Sequence, residues 1–298
     1  MLKSAIASSP FKIGEELLVK FRFPTLVLFV FLVSAIGIAA QSPSPSPVPA
    51  RPAASPTPAQ LTNPKNPVAP VTPEPVVESA IFIYGLGGGR ERLDQIRKTV
   101  VERGKSKVTA ADGRVENATY TRYISRGTDL WKDKIRLDQE VPNARFSLLT
   151  SSDKIILIFN NTVLPPSDEA ANAFQNVAYR SIEGLLRYKE NGSTIALAGK
   201  EKELGVEFYM IDVTDNKKRT TRYYVSVKSF RVMMLTYEEA GVKYKRKFYN
   251  YNYAQGTLVP YRTVLMAGNK VVEETDIGTI TFGQKIDEEM FNVNLDQN

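Results

Sequence analysis

The chain of 298 residues has no cysteine and no histidine and carries a formal charge of +7. Without cysteine there are no disulfides, thiol nucleophiles, thiolate metal sites or lipid-modified N-terminal cysteine; without histidine the usual base near neutral pH and the commonest zinc ligand are gone. The 39 Lys+Arg against 32 Asp+Glu describe a mixed, solvated surface rather than a nucleic-acid face, and neither a nucleic-acid partner nor a cofactor is expected.

In chain order, Lys20-Phe-Arg22 precedes an uncharged, mostly apolar run from Thr25 to Ala40 that ends in small residues. A basic flank, a short apolar core and a small-residue exit describe an export signal over residues 1–40, cleaved at Ala39 or Ala40, with retention as an N-terminal membrane anchor as the alternative. Either outcome places the rest of the chain across the membrane, in the periplasm. Residues 41–78 are rich in proline interleaved with Ser, Ala and Thr, a composition that stays extended and buries no core, so they read as a disordered linker.

The folded domain is expected over residues 79–298. Ala80 to Tyr84 reads as a strand leading into Gly85-Leu-Gly-Gly-Gly89, followed by a helix with Leu93, Ile96, Val100 and Val101 on one face, ending near Gly104. A dinucleotide loop is excluded by spacing, because a G-x-G-x-x-G run from Gly85 needs glycine where Arg90 stands. Four strands follow: Val115 to Ser125, Asp133 to Asp138, Arg145 to Leu149 and Lys154 to Asn160. Ser167, after Pro166 and before Asp168 and Glu169, is an N-cap for one long helix reaching Lys189 and stopped by Asn191-Gly192. Its stripe of Phe174, Val177, Ala178, Ile182, Leu185 and Leu186 is suited to cover a sheet. From Ser193 to Phe282 the chain is a ladder of alternating strands with short turns, including a hairpin across Ala267-Gly-Asn-Lys270. Strands, a helix and strands again make an α+β domain: a curved antiparallel half-barrel of about ten strands with helices on its concave side.

The segments Gly88 to Ile96, Phe146 to Ile158, Gly256 to Arg262, Val271 to Thr275 and Gly283 to Phe291 carry a resemblance to the LolA/LolB-like lipoprotein-sorting fold. That resemblance implies a non-enzymatic periplasmic carrier whose apolar cavity, between sheet and helices, holds the acyl chains of lipids or lipidated proteins. It also implies a functional arginine in an early strand, matched here by Arg136 or by Lys134. The chain departs from the membrane-targeting variant, itself a lipoprotein, in having no cysteine at the export junction.

Cavity-wall candidates are Phe146, Leu148, Ile156, Ile158, Phe174, Val177, Ile182 and Leu185; the competing reading makes them ordinary core. Lys243, Lys245 and Lys247 share one strand face that continues into Tyr249, Tyr251 and Tyr253. This row and Lys134 and Arg136 are candidates for headgroup or membrane-surface contact, against a plain solvent-facing edge. Asp212 with Asp215, Glu273 to Asp276, and Asp287 to Glu289 are the carboxylate groups on which a hydrolase would have to rest, against a reading as solvated charge. A cell-envelope sensor or interaction domain on a proline-rich stalk is the alternative to the carrier, and the oligomeric state is left open.

Overall fold

A computed structural model describes residues 71–109, 113–151 and 154–293. The export segment and most of the linker lie outside the described residues. Within them, no helix is long and apolar enough to cross a membrane.

The described residues open with α1 (Pro73–Tyr84) and α2 (Gly89–Ile96). Residues 80–84 are therefore helical, not a strand. Pro73 stands at the first helical turn after Thr72, where its missing N–H costs nothing, and Val76, Val77, Ala80, Ile81 and Tyr84 form a fully buried helical stripe. A five-residue apolar run taken alone fits either period, and the stripe shows only when residues 73–78, assigned by composition to the linker, are included.

Among the described residues thirteen strands follow, in one antiparallel sheet. The first six are β1 (Thr99–Thr109), β2 (Val115–Ser125), β3 (Lys134–Val141), β4 (Ala144–Ser151), β5 (Lys154–Phe159) and β6 (Thr162–Leu164). Then α3 (Asp168–Tyr179) and α4 (Ile182–Leu186) cross over. The ladder resumes with β7 (Thr194–Glu203), β8 (Val206–Thr214), β9 (Thr220–Ser226), β10 (Val232–Glu239), β11 (Val242–Ala254), β12 (Thr257–Ala267) and β13 (Lys270–Phe282). The order across the sheet is β6-β5-β4-β3-β2-β1-β13-β12-β11-β10-β9-β8-β7, so two meanders join where β1 pairs with β13.

Val100 and Val101, expected at the end of the first helix, lie instead in β1, the strand that joins the meanders. Their spacing from Leu93 and Ile96 mimics a helical period, but β1 has hydrogen-bonded neighbours on both sides, which outweighs a helix of marginal length. The Ala267–Lys270 hairpin forms where expected, with Ala267 paired to Lys270 and Gly268 at φ 57°.

The sheet curves because its ladders shift at Arg103/Gly104, Leu197/Gly199, Val232/Met234 and Leu265/Met266. Gly104 is required at its bend, since a Cβ there would stand 2.3 Å from the Asp276 carbonyl oxygen and 2.8 Å from Tyr120 Oη.

Ser167 caps α3 as expected, its Oγ accepting from the Ala170 amide at 3.2 Å. The single long helix, however, breaks at Arg180–Ser181. There the Tyr223 hydroxyl donates to the Ser181 carbonyl at 2.8 Å, and Arg180 turns to Thr220, Thr221 and the ring of Tyr237. Tertiary partners thus replace helical ones. Gly184 lets α4 sit on Tyr223, whose Oη would be 2.5 Å from any Cβ.

Two layers cover the two faces. On the concave side α1 and α4 pack against β8 to β12 in a core holding Ile211, Tyr223, Val225, Leu235 and Leu258. On the convex side the C-terminal 3₁₀ turn Glu288–Phe291 packs against β3 and β4, with Phe291 and Ile286 buried on Val101 and Tyr123.

Candidate functional site

The helical stripe divides in two within α4, one turn past the break from α3. Phe174, Val177, Ala178 and Ile182 face a partly open cavity of about 220 Å³. Leu185 and Leu186, at the end of α4, turn into the solid core and are 0% and 2% exposed. The cavity lies between α3 and the concave face of β1, β2, β3, β11, β12 and β13. Its apolar wall includes Val100, Ile124, Ile135, Leu137, Ile277 and Phe282.

Register decides which other candidates can face it. Opposite residues of an antiparallel pair share a face. Leu137 pairs with Leu148 and Gln139 with Phe146, so Phe146 and Leu148 share the face of the cavity-lining Leu137 and Gln139, one strand further out. Ile156 pairs with Leu149 and Ile158 with Ser147, which pair in turn with Arg136 and Asp138. These two isoleucines therefore belong to the convex face, not the cavity wall.

Arg136 and Lys134 go with them. Arg136 donates to Asp138 at 2.7 Å and to the Met290 carbonyl at 2.9 Å, and Lys134 pairs with Glu288. Both hold the C-terminal segment on the convex face. The arginine that an early strand does place in the cavity is Arg122, on β2. A single residue of phase along a strand reverses its face, so counting from β3 instead of β2 loses it.

In β11, Arg246 and Phe248 line the cavity, which puts the alternating Lys243, Lys245 and Lys247 on the outer face. Lys245 and Lys247 stand 3.7 and 3.6 Å from Glu203. The tyrosines do not continue that row: Asn250, at φ 53°, is left out of the otherwise unbroken β11–β12 pairing. Tyr249 stays exposed, whereas Tyr251 turns inward, donating to the Val232 carbonyl and hydrogen-bonding Tyr84 at 3.1 Å. Burial pushes Tyr84 up to about 12. Five of the carboxylates weighed for hydrolysis are in ion pairs: Asp212 with Arg222, Asp215 with Arg219, Glu274 and Asp276 with Arg262, and Glu288 with Lys134.

The cavity also has polar walls that sequence patterning did not reveal. At its mouth, Glu183 on α4 receives Arg97, which follows α2, and Arg126, which follows β2. Arg97 is itself buried, donating to Thr257 Oγ1 and the Leu258 carbonyl, each at 2.9 Å. Burial alone would raise the Glu183 carboxyl, but Arg126 and Arg97 more than offset it and hold it at about 2. Behind it, Arg187 donates to Asp133 at 2.7 Å, both side chains being about 5% exposed or less. Burial outweighs Arg187 at Asp133 and holds that carboxyl above its ordinary range.

Deeper, Glu102 of β1 accepts from Tyr120 Oη at 2.8 Å and from Arg122 Nη2 at 2.7 Å, both on β2. Burial, then the Glu102 charge, pushes the Tyr120 phenol far up. Ser106, Gln139, Thr263, Glu273 and Thr275 complete this polar end. Alternation within each strand, Glu102 with Ser106 and Tyr120 with Arg122, was the signal available in sequence; it reads as ordinary mixed-charge strand until the face is known. Among the described residues no cluster of three or more acidic side chains is arranged to hold a metal ion.

No protein-family model matches the sequence, and a search of curated proteins finds no match. Solved structures do match. A putative outer membrane lipoprotein-sorting protein domain from Vibrio parahaemolyticus superposes with a TM-score of 0.54 at 13% identity, over 74% of this chain and 97% of its own. A DUF1329 family protein from Desulfovibrio piger gives 0.53 at 10%, over 74% and 96%. A LolA superfamily protein from Nitrosomonas europaea gives 0.52 at 13%, over 75% and 99%. At these identities the likeness is one of fold: the chain has the curved, unclosed antiparallel sheet of the LolA-like proteins, with helices on its concave face.

Proposed function

We propose that the protein is an exported, non-enzymatic binding or carrier protein that holds an acyl chain of a lipid or lipidated protein in the cavity beneath α3. One observation carries the reading: about 220 Å³ of the concave side stays unfilled and is walled by Phe174, Val177, Ile182, Ile124, Ile277 and Phe282, while the neighbouring half of the same face is packed solid. Protein interiors close such spaces unless something prevents it, and an apolar-walled space admits apolar ligands. The volume is somewhat below the roughly 300–1,000 Å³ of drug-sized clefts, which suits one short stretch of chain rather than several whole ones.

The LolA-like fold supports the reading, because the similar structures include a lipoprotein-sorting domain. The apolar run from Thr25 to Ala40 supports export into the periplasm. Native mass spectrometry with lipid extraction, on the full chain purified gently from the cell envelope, tests the proposal. An acylated species that co-purifies with the protein and is lost on Val177→Trp, which fills the cavity, is the expected result. A bare mass for both proteins refutes it.

A further inference from the structure

The polar end of the cavity offers hydrogen-bond donors that the protein itself does not use. Glu102, 3% exposed, is already satisfied by Tyr120 and Arg122 Nη2. The Ser106 hydroxyl, on a residue 6% exposed, and Arg122 Nε–H are both buried on the cavity wall without a hydrogen-bond partner. Leaving a buried donor unpaired costs the desolvation of that group, and native structures keep few such groups. Two on one wall of one cavity point to ligand acceptors. The strands hold both in place: Arg122 lies opposite Glu102, Ser106 lies opposite Ala118, and Gly104 between them lets the Tyr120 side chain lie across β1.

Charge says which acceptor fits. The lining carries Arg97, Arg122, Arg126 and Arg246 against Glu102, Asp133, Glu183 and Glu273, a balanced set. At the polar end itself Arg122 is ion-paired with Glu102, and Glu273 lies on the same wall. An ionised carboxylate or phosphate would bring a further negative charge beside two carboxylates, in a place where charge is costly to desolvate. A neutral oxygen acceptor brings none. Resting on the acyl-chain reading of the cavity, we propose that the unpaired Ser106 hydroxyl is the donor of a carbonyl subsite for an ester- or amide-linked acyl chain, which lets the protein discriminate against free fatty acids, and that Arg122 Nε–H, four ladder positions away, faces a separate neutral acceptor.

Displacement of Nile red from the full chain at pH 8 tests this with methyl octanoate, N-methyloctanamide, sodium octanoate and n-octane. One or both of the neutral carbonyl compounds should bind at least about tenfold more tightly than octanoate or octane, the scale of a net hydrogen bond. Tighter binding of the ester assigns an ester-linked chain, and tighter binding of the amide an amide-linked one. Ser106→Ala should remove about tenfold of the carbonyl compound's affinity and leave octane unchanged. Equal affinity for all four compounds, or a Ser106→Ala protein that keeps the preference, overturns the subsite while leaving the apolar cavity standing. Failure of every compound to bind the wild-type protein overturns the cavity reading and the subsite with it.

Discussion

The two halves of the concave face are built from the same element type and filled in opposite ways. Over β8 to β10, α1 and α4 press Val77, Ile81 and Leu185 onto Ile211, Tyr223 and Leu235 in a close-packed core. Over β1 to β3 and β11 to β13, α3 stands off and a cavity remains. The difference lies in what the walls carry. The closed half is aliphatic and aromatic, whereas the open half holds Glu183 between Arg97 and Arg126, Asp133 against Arg187, and Glu102 against Arg122. Aliphatic side chains interdigitate freely, but ion pairs have fixed geometry and lose their partners if the wall moves. Buried charge is what holds this space open.

The strongest way to break the contrast is to remove one partner behind the open half. Arg187→Met leaves Asp133 buried without its cation and should cost about 3–5 kcal/mol in urea unfolding at pH 7. The deficit should shrink towards acid pH as Asp133 is protonated; a deficit independent of pH would mean that the pair is not its source.

Truncation should separate the halves next. Leu235→Ala in the closed half should cost about 3 kcal/mol, because its surroundings cannot collapse. Val177→Ala, on a half-buried residue already beside open space, should cost less than about 1 kcal/mol in the same assay. Equal losses would remove the distinction.

Acid titration gives a smaller effect of known sign. Glu183 is held at about 2, below its ordinary 4.5, so its carboxylate contributes stability that is complete above about pH 4.5 and lost as the pH falls towards 2. Over that window the wild type should lose roughly 2 kcal/mol that Glu183→Gln does not lose. The smallest effect belongs to Ser106→Ala. Replacing an unpaired buried hydroxyl should leave stability within about 0.5 kcal/mol of wild type or raise it slightly, so its effect on ligand preference would not be a folding defect.

Much of the sheet was legible because strand alternation and turn residues are local signals. Val115 to Ser125 and the Ala267–Lys270 hairpin form where the pattern puts them. Three features were not legible, each because a distant partner decides it. The strand–helix reading of residues 80–104 fails because α1 begins within the proline-rich stretch and β1 is claimed by β2 and β13. The long helix fails at Arg180 because Tyr223, in a later strand, takes the Ser181 carbonyl. At the candidate site, Phe174, Val177 and Ile182 could be named from the helical stripe, while Glu102, Ser106 and Arg122 could not. Which face of a strand looks inward depends on register with neighbours up to the far side of the sheet, as Ile156 and Arg136 on the convex face show.

The most direct measurement of the central claim is where an acyl chain goes. A palmitoyl ester carrying a photoactivatable diazirine in its chain, cross-linked to the full protein and mapped by peptide mass spectrometry, should label Phe174 to Ile182 on the helical side and β1, β2 and β13 on the sheet. Labelling concentrated on β8 to β10 or on the convex face around Ile156 and Arg136, or no saturable labelling at all, would contradict the account.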